Sequence, residues 1–79
     1  MVDVVEVIVK ALVDNPDEVT VEETDERNGT VYISVTTAPG DAGKIIGKYG
    51  RIANAIRAVA NADAAREGLR CNVDIESRQ

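Results

Sequence analysis

Two glycines three positions apart, Gly47 and Gly50, interrupt what is otherwise helical sequence in Gly43-Lys44-Ile45-Ile46-Gly47-Lys48-Tyr49-Gly50-Arg51-Ile52. A short apolar helix runs into the first glycine and a longer one starts directly after the second. This restricts the fold to one in which two consecutive helices meet at a tight corner. The corner brings bare backbone N–H groups, basic side chains and a helix N-terminus to one place, and that combination suits an anion such as a phosphodiester.

Charge sharpens the point. The chain of 79 residues has net charge −5, which ordinarily argues against a nucleic-acid partner. Its distribution argues otherwise. Residues 1–40 hold nine acids (Asp3, Glu6, Asp14, Asp17, Glu18, Glu22, Glu23, Asp25, Glu26) against Lys10 and Arg27, whereas Ala42 to Ala62 hold Lys44, Lys48, Arg51 and Arg57 and no acid. The plain alternative, a solvated helix face, is the commoner meaning of a charge run.

Around this corner the pattern is regular. Helix one is expected over Asp3 to Asp14, closed by the turn signal Asn15-Pro16-Asp17. Its polar positions Asp3, Glu6, Lys10 and Asp14 form one narrow stripe, leaving an apolar arc of roughly 240°, more than twice what a surface helix needs. Such a helix is buried from two directions, or one side of it meets another molecule. Val19 and Val21 alternate with Thr20 and Glu22, and Val31, Ile33 and Val35 alternate with Thr30, Tyr32, Ser34 and Thr36, which reads as two strands. Asn28-Gly29 between them is a hairpin signal. Pro39-Gly40-Asp41 opens helix two, which stops at Gly47. Helix three starts after Gly50 and runs to about Arg66 with Ile52, Ile56 and Val59 as its heaviest apolar stripe, and Gly68 ends it. A last strand turns Leu69, Cys71, Val73 and Ile75 inward. The expected fold class is α+β, a two-layer sandwich of a three-stranded mixed sheet with helices on one face, order α-β-β-α-α-β. One domain, residues 1–79, is expected.

Several functions are set aside. Without histidine and with the single cysteine Cys71, no disulfide framework or ordinary zinc site is expected, and neither is a cofactor. Cys71 falls on the inward register of the last strand and reads as a small core residue. Glu22 and Glu23, adjacent on a strand, point to opposite faces and cannot act as an acid–base pair. No nucleophile stands beside a base, so no enzyme is expected. The absence of a basic-then-apolar leader and of long apolar runs points to a cytoplasmic chain without a membrane span. A P-loop is rejected, because three residues rather than four separate Gly43 from Gly47, Tyr49 replaces the required Ser or Thr, and a helix rather than a strand precedes. Gly40-Asp41-Ala42-Gly43 repeats the glycine spacing with an acid that would repel phosphate.

Ile45-Ile46-Gly47-Lys48-Tyr49-Gly50-Arg51-Ile52, followed by Ala55-Ile56-Arg57, resembles the signature of KH domains, which bind RNA and single-stranded DNA. The element order resembles the type II arrangement, and the whole chain looks closest to small bacterial single-KH RNA-binding proteins. The resemblance implies that Gly47 to Gly50, with Lys48 and Tyr49 between them, clamp the backbone of about four nucleotides of single-stranded RNA. It implies that Gly43, Ile46 and Asn54 line the groove for the bases and that Lys44 and Arg51 flank the phosphates. Tyr49 departs from the small, polar or basic residue common there; stacking on a base and packing against the loop are both open. The resemblance further implies a post-transcriptional regulator or RNA chaperone that forms a homodimer. The alternative is a protein–protein adaptor associating with a larger Jag-type KH protein, a pairing linked to cell elongation and division.

Overall fold

A computed structural model describes residues 2–24 and 27–77, so the Asp25-Glu26 part of the acidic run lies outside the described residues. Helix α1 spans Val2–Leu12, β1 Thr20–Glu23, β2 Thr30–Thr37, α2 Ala42–Ile46, α3 Arg51–Ala65 and β3 Arg70–Ser77. The fold is α+β in the order α-β-β-α-α-β, as the sequence pattern predicts, and this is the type II KH arrangement that the resemblance implies. Among the described residues no helix is long and apolar enough to cross a membrane.

The sheet has the order β1-β2-β3, antiparallel between β1 and β2 and parallel between β2 and β3. The antiparallel pair aligns Val21 with Val35, and the parallel pair aligns Val31 with Cys71 and Ile33 with Val73. Because side chains alternate along a strand, this register puts Val31, Ile33, Val35, Cys71 and Val73 on one face. There they meet Val5 and Val9 of α1, Ile45 of α2 and Ile56, Ala60 and Ala64 of α3. Tyr32 stands on the solvent face, as its position predicts. The turn at Asn28-Gly29 has positive φ at both residues, 53° and 80°, as a two-residue hairpin of this type requires.

Two helix readings are corrected. Helix α1 ends at Leu12 rather than Asp14, with Val13 N–H still bonded to the Val9 carbonyl at 3.2 Å. Its arc is covered from one side: Val5 and Val9 are fully buried, whereas Val7, beside the polar stripe, is 70% exposed. On α3 the buried stripe is Ala53, Ile56, Ala60 and Ala64, and Val59 is 44% exposed. Small residues face the sheet and α1 because they allow the helix to approach closely, which rotates Val59 outward.

Candidate nucleic-acid interface

Helix α2 is only five residues long, too short to persist without tertiary support. Two anchors supply that support. Ile45 is fully buried in the core. Asp41, directly before the helix, is 2% exposed and accepts hydrogen bonds at Oδ2 from the Asn15 backbone N–H at 3.0 Å and the Asn15 side-chain amide at 3.1 Å. The sequence reading made Asp41 an N-terminal acid of the helix; its side chain makes no cap hydrogen bond and reaches across to the end of α1 instead. Burial pushes the Asp41 carboxyl up, but the Asn15 side chain, the Asn15 and Asp14 backbone groups and the Lys44 charge together hold it below the usual carboxylate value.

Lys44 belongs to the same network. Its Nζ donates to Asp14 Oδ2 at 2.6 Å and lies 3.5 Å from Asp41 Oδ1. The hydrogen bond to Asp14 is the main reason its ammonium is held above the ordinary lysine value; burial opposes it and the two carboxylate charges add to it. The segment that is acid-free in sequence is therefore not acid-free in space.

The loop itself uses its two glycines differently. Gly47 N–H closes the last turn of α2 on the Gly43 carbonyl at 3.0 Å. Its φ of 74° and ψ of 175° are not the left-handed conformation with which a glycine commonly closes a helix but an extended mirror conformation open essentially only to glycine. A Cβ there would stand 2.7 Å from Ile52 Cγ1, so Gly47 also makes room for the side chain that pins α3 to the core. Gly50, at φ 73° and ψ 15°, is left-handed, and among the described residues a Cβ added to it meets nothing within 4 Å. The space at Gly50 is open to a ligand.

Between them Lys48 and Tyr49 are exposed, with Lys48 Nζ 5.5 Å from the Tyr49 ring centroid. Tyr49 is left-handed at φ 58° and ψ 22° and 82% exposed, so the option of packing against the loop is not taken. Arg51 begins α3 and is exposed, a cation at the positive end of a helix dipole. Ile46 is exposed for an isoleucine, and among the described residues a Cβ on Gly43 would meet nothing within 4 Å.

Asn54, one turn into α3, accepts a hydrogen bond from Arg57 Nη1 at 3.3 Å. The sequence reading counted Arg57 only as charge. Its Nε donates to the Val73 carbonyl of β3 at 3.1 Å, while Asn61 Oδ1 accepts the Cys71 N–H at 2.8 Å and Asn61 Nδ2 bonds the Arg57 carbonyl at 2.9 Å. These α3 side chains dock the helix that follows the loop onto β3. Asn61 on a helix and alternation in β3 were both visible in the sequence, but nothing local pairs them.

Comparison with known proteins finds relatives of the chain. The family described as KhpA/KhpB, KH domain, matches residues 2–75. The chain is similar to the RNA-binding protein KhpA of Caldanaerobacter subterraneus subsp. tengcongensis, 48% identical over 75 residues that cover 95% of this chain and 99% of that protein. It is similar to the RNA-binding protein KhpA of Clostridium acetobutylicum, 49% identical over 76 residues with the same coverage of each. The RNA-binding protein KhpA of Aquifex aeolicus is 44% identical over 73 residues, 92% of this chain and 91% of that protein.

Proposed function

Because the chain belongs to the KhpA/KhpB KH-domain family, we propose that it binds single-stranded RNA and that the Gly47–Gly50 loop clamps the RNA backbone. The family is non-catalytic, so binding is the whole of the chemistry. Residues 1–79 act as a single KH domain.

One observation carries the reading. Lys48, Tyr49 and the N-terminus of α3 stand in solvent around the open space at Gly50. A phosphate entering there meets backbone N–H donors, the positive end of a helix dipole and the Lys48 and Arg51 charges together. In this reading Gly43, Ile46 and Asn54 supply the base side of the site, Ile46 as an exposed apolar side chain and Asn54 as an exposed amide. About four nucleotides fit such a loop. Lys44, tied to Asp14, contributes only when that pair opens. Among the described residues of the loop region few cations are left without an acidic partner, so affinity is modest and a homodimer that presents two loops raises it through effective concentration. The exposed Val7 and Val59 supply apolar surface for such a dimer. A protein of this kind serves as a post-transcriptional regulator or RNA chaperone. The same apolar surface favours a second reading, an adaptor for a larger Jag-type KH protein with weak RNA contact.

The test replaces Lys48 and Tyr49 together by Asp and titrates single-stranded RNA in a gel shift. Binding is lost and the thermal transition is kept, because both side chains are exposed. Unchanged affinity would remove the clamp.

A further inference from the structure

Tyr49 adopts a conformation for which its own fold offers little return. The left-handed region is easy for Gly, Asn and Asp and unfavourable for a residue such as tyrosine. Burial does not offset that strain, since the side chain is 82% exposed. Among the described residues its ring contact is Lys48 Nζ at 5.5 Å from the centroid, within cation–π range but weak at an exposed site. The backbone thus holds an aromatic face off the fold, at the tip of the loop, next to the open space at Gly50.

An aromatic face beside a phosphate-seeking cation is the arrangement by which proteins hold single strands, since every base offers a π-face to stack on. We propose that Tyr49 is a base-stacking residue: the base of the nucleotide whose phosphate rests on the Gly47–Gly50 backbone lies against the Tyr49 ring, and Lys48 leaves the ring for that phosphate. The ligand class is then a base-bearing single strand, held with little regard to sequence because every base has a π-face. This rests on the RNA-clamp reading and adds a base contact to a loop otherwise addressed to the sugar-phosphate backbone. RNA is favoured over a protein occupant because the cation on the ring, Lys48, and the neighbouring Arg51 both seek phosphate.

Tyr49→Asn tests it cleanly, because Asn keeps the left-handed backbone and removes the ring. Tyr49→Trp introduces the only tryptophan of the chain, whose emission reports stacking. Two probes are titrated by anisotropy: an unstructured oligoribonucleotide, and an oligomer of the same length and charge whose bases are replaced by abasic sugars. Tyr49→Asn loses about 5-fold or more in affinity for the base-bearing strand and keeps the wild-type affinity for the abasic one. Tyr49→Trp retains binding, and its emission is quenched by the base-bearing strand alone. Equal affinity of Tyr49→Asn and wild type for the base-bearing strand overturns the proposal and leaves the ring to a protein contact. Equal losses on both strands overturn it too, by making Tyr49 a determinant of loop shape. Failure of the underlying clamp looks different: the wild-type chain then binds neither strand with any salt dependence.

Discussion

On the proposed clamp, Asp14 occupies the place at Lys44 that an RNA phosphate would take, so replacing it should change how many phosphates the protein neutralises. In the folded chain Lys44 Nζ is 2.6 Å from Asp14 Oδ2 and 3.5 Å from Asp41 Oδ1. Arg57 is turned to Val73 and Asn54. Among the described residues, the basic side chains between Ala42 and Ala62 that remain for phosphate are Lys48 and Arg51. Two neutralised phosphates give a slope of log affinity against log salt of about −1.4 for a single strand, or roughly a 7-fold loss between about 50 and 200 mM salt. Asp14→Asn removes the shorter and stronger contact and leaves Lys44 only the longer one. Lys44 lies one helical turn before Gly47, about 5 Å along the axis, within the sweep of its own side chain. With Lys44 released, the slope steepens to about −2.1 and the loss over the same salt range becomes about 18-fold. The advantage of the variant over wild type is thus about 2.6-fold larger at 50 than at 200 mM. The assay is a fluorescence-anisotropy titration of a labelled single-stranded RNA at four or more salt concentrations. Asp17→Asn, an exposed acid on the neighbouring turn, controls for the general effect of removing a negative charge. Asp14→Asn combined with Lys44→Met should return the slope to the wild-type value. Equal slopes in Asp14→Asn and wild type would refute the reasoning and make the Asp14–Lys44 pair a structural tie and nothing more.

Three further outcomes are expected. Gly47→Ala combines a backbone strain of about 1–3 kcal/mol with displacement of Ile52 costing about 1–3 kcal/mol, whereas Gly50→Ala carries the left-handed strain of about 1–2 kcal/mol alone. Thermal melts should therefore rank Gly47→Ala as the less stable, and RNA titration should find Gly50→Ala the more impaired for its loss of stability; the opposite ranking in either assay would contradict the separate roles assigned to the two glycines. The Asp41 carboxyl, held below its usual value in the folded chain, contributes stability that is present above about pH 4 and lost as pH falls through the folded value; Asp41→Asn should lower the melting temperature at neutral pH and flatten its decline in acid, and a decline as steep as wild type would show that other carboxylates govern it. Val7→Asp should convert a particle of about twice the chain mass in light scattering into a monomer with its melting cooperativity retained, and a wild-type chain that is already monomeric would remove the dimer.

Much of the architecture is readable from near neighbours. Alternation in Val31, Ile33 and Val35, the Asn28-Gly29 turn and the inward register of Cys71 and Val73 depend on contacts within a few positions, and each of these features appears in the fold where the pattern puts it. The glycine corner is of the same kind, since Gly47 and Gly50 declare a sharp change of direction between two helices whatever surrounds them. Even there the neighbourhood had a limit: the ψ of Gly47 and its contact with Ile52 follow from how α3 docks, and the exposure of Val59 follows from alanines packing closer than a larger residue could. The electrostatics of the candidate site lay furthest from view. Lys44 finds Asp14 across 30 positions, and Asp41 finds Asn15 across 26. These pairs exist because α1 and α2 lie on the same face of the sheet, which brings the end of one helix to the start of the other. A charge counted along the chain is free by default. Whether it remains free for a ligand depends on which opposite charge the packing of the layers sets beside it.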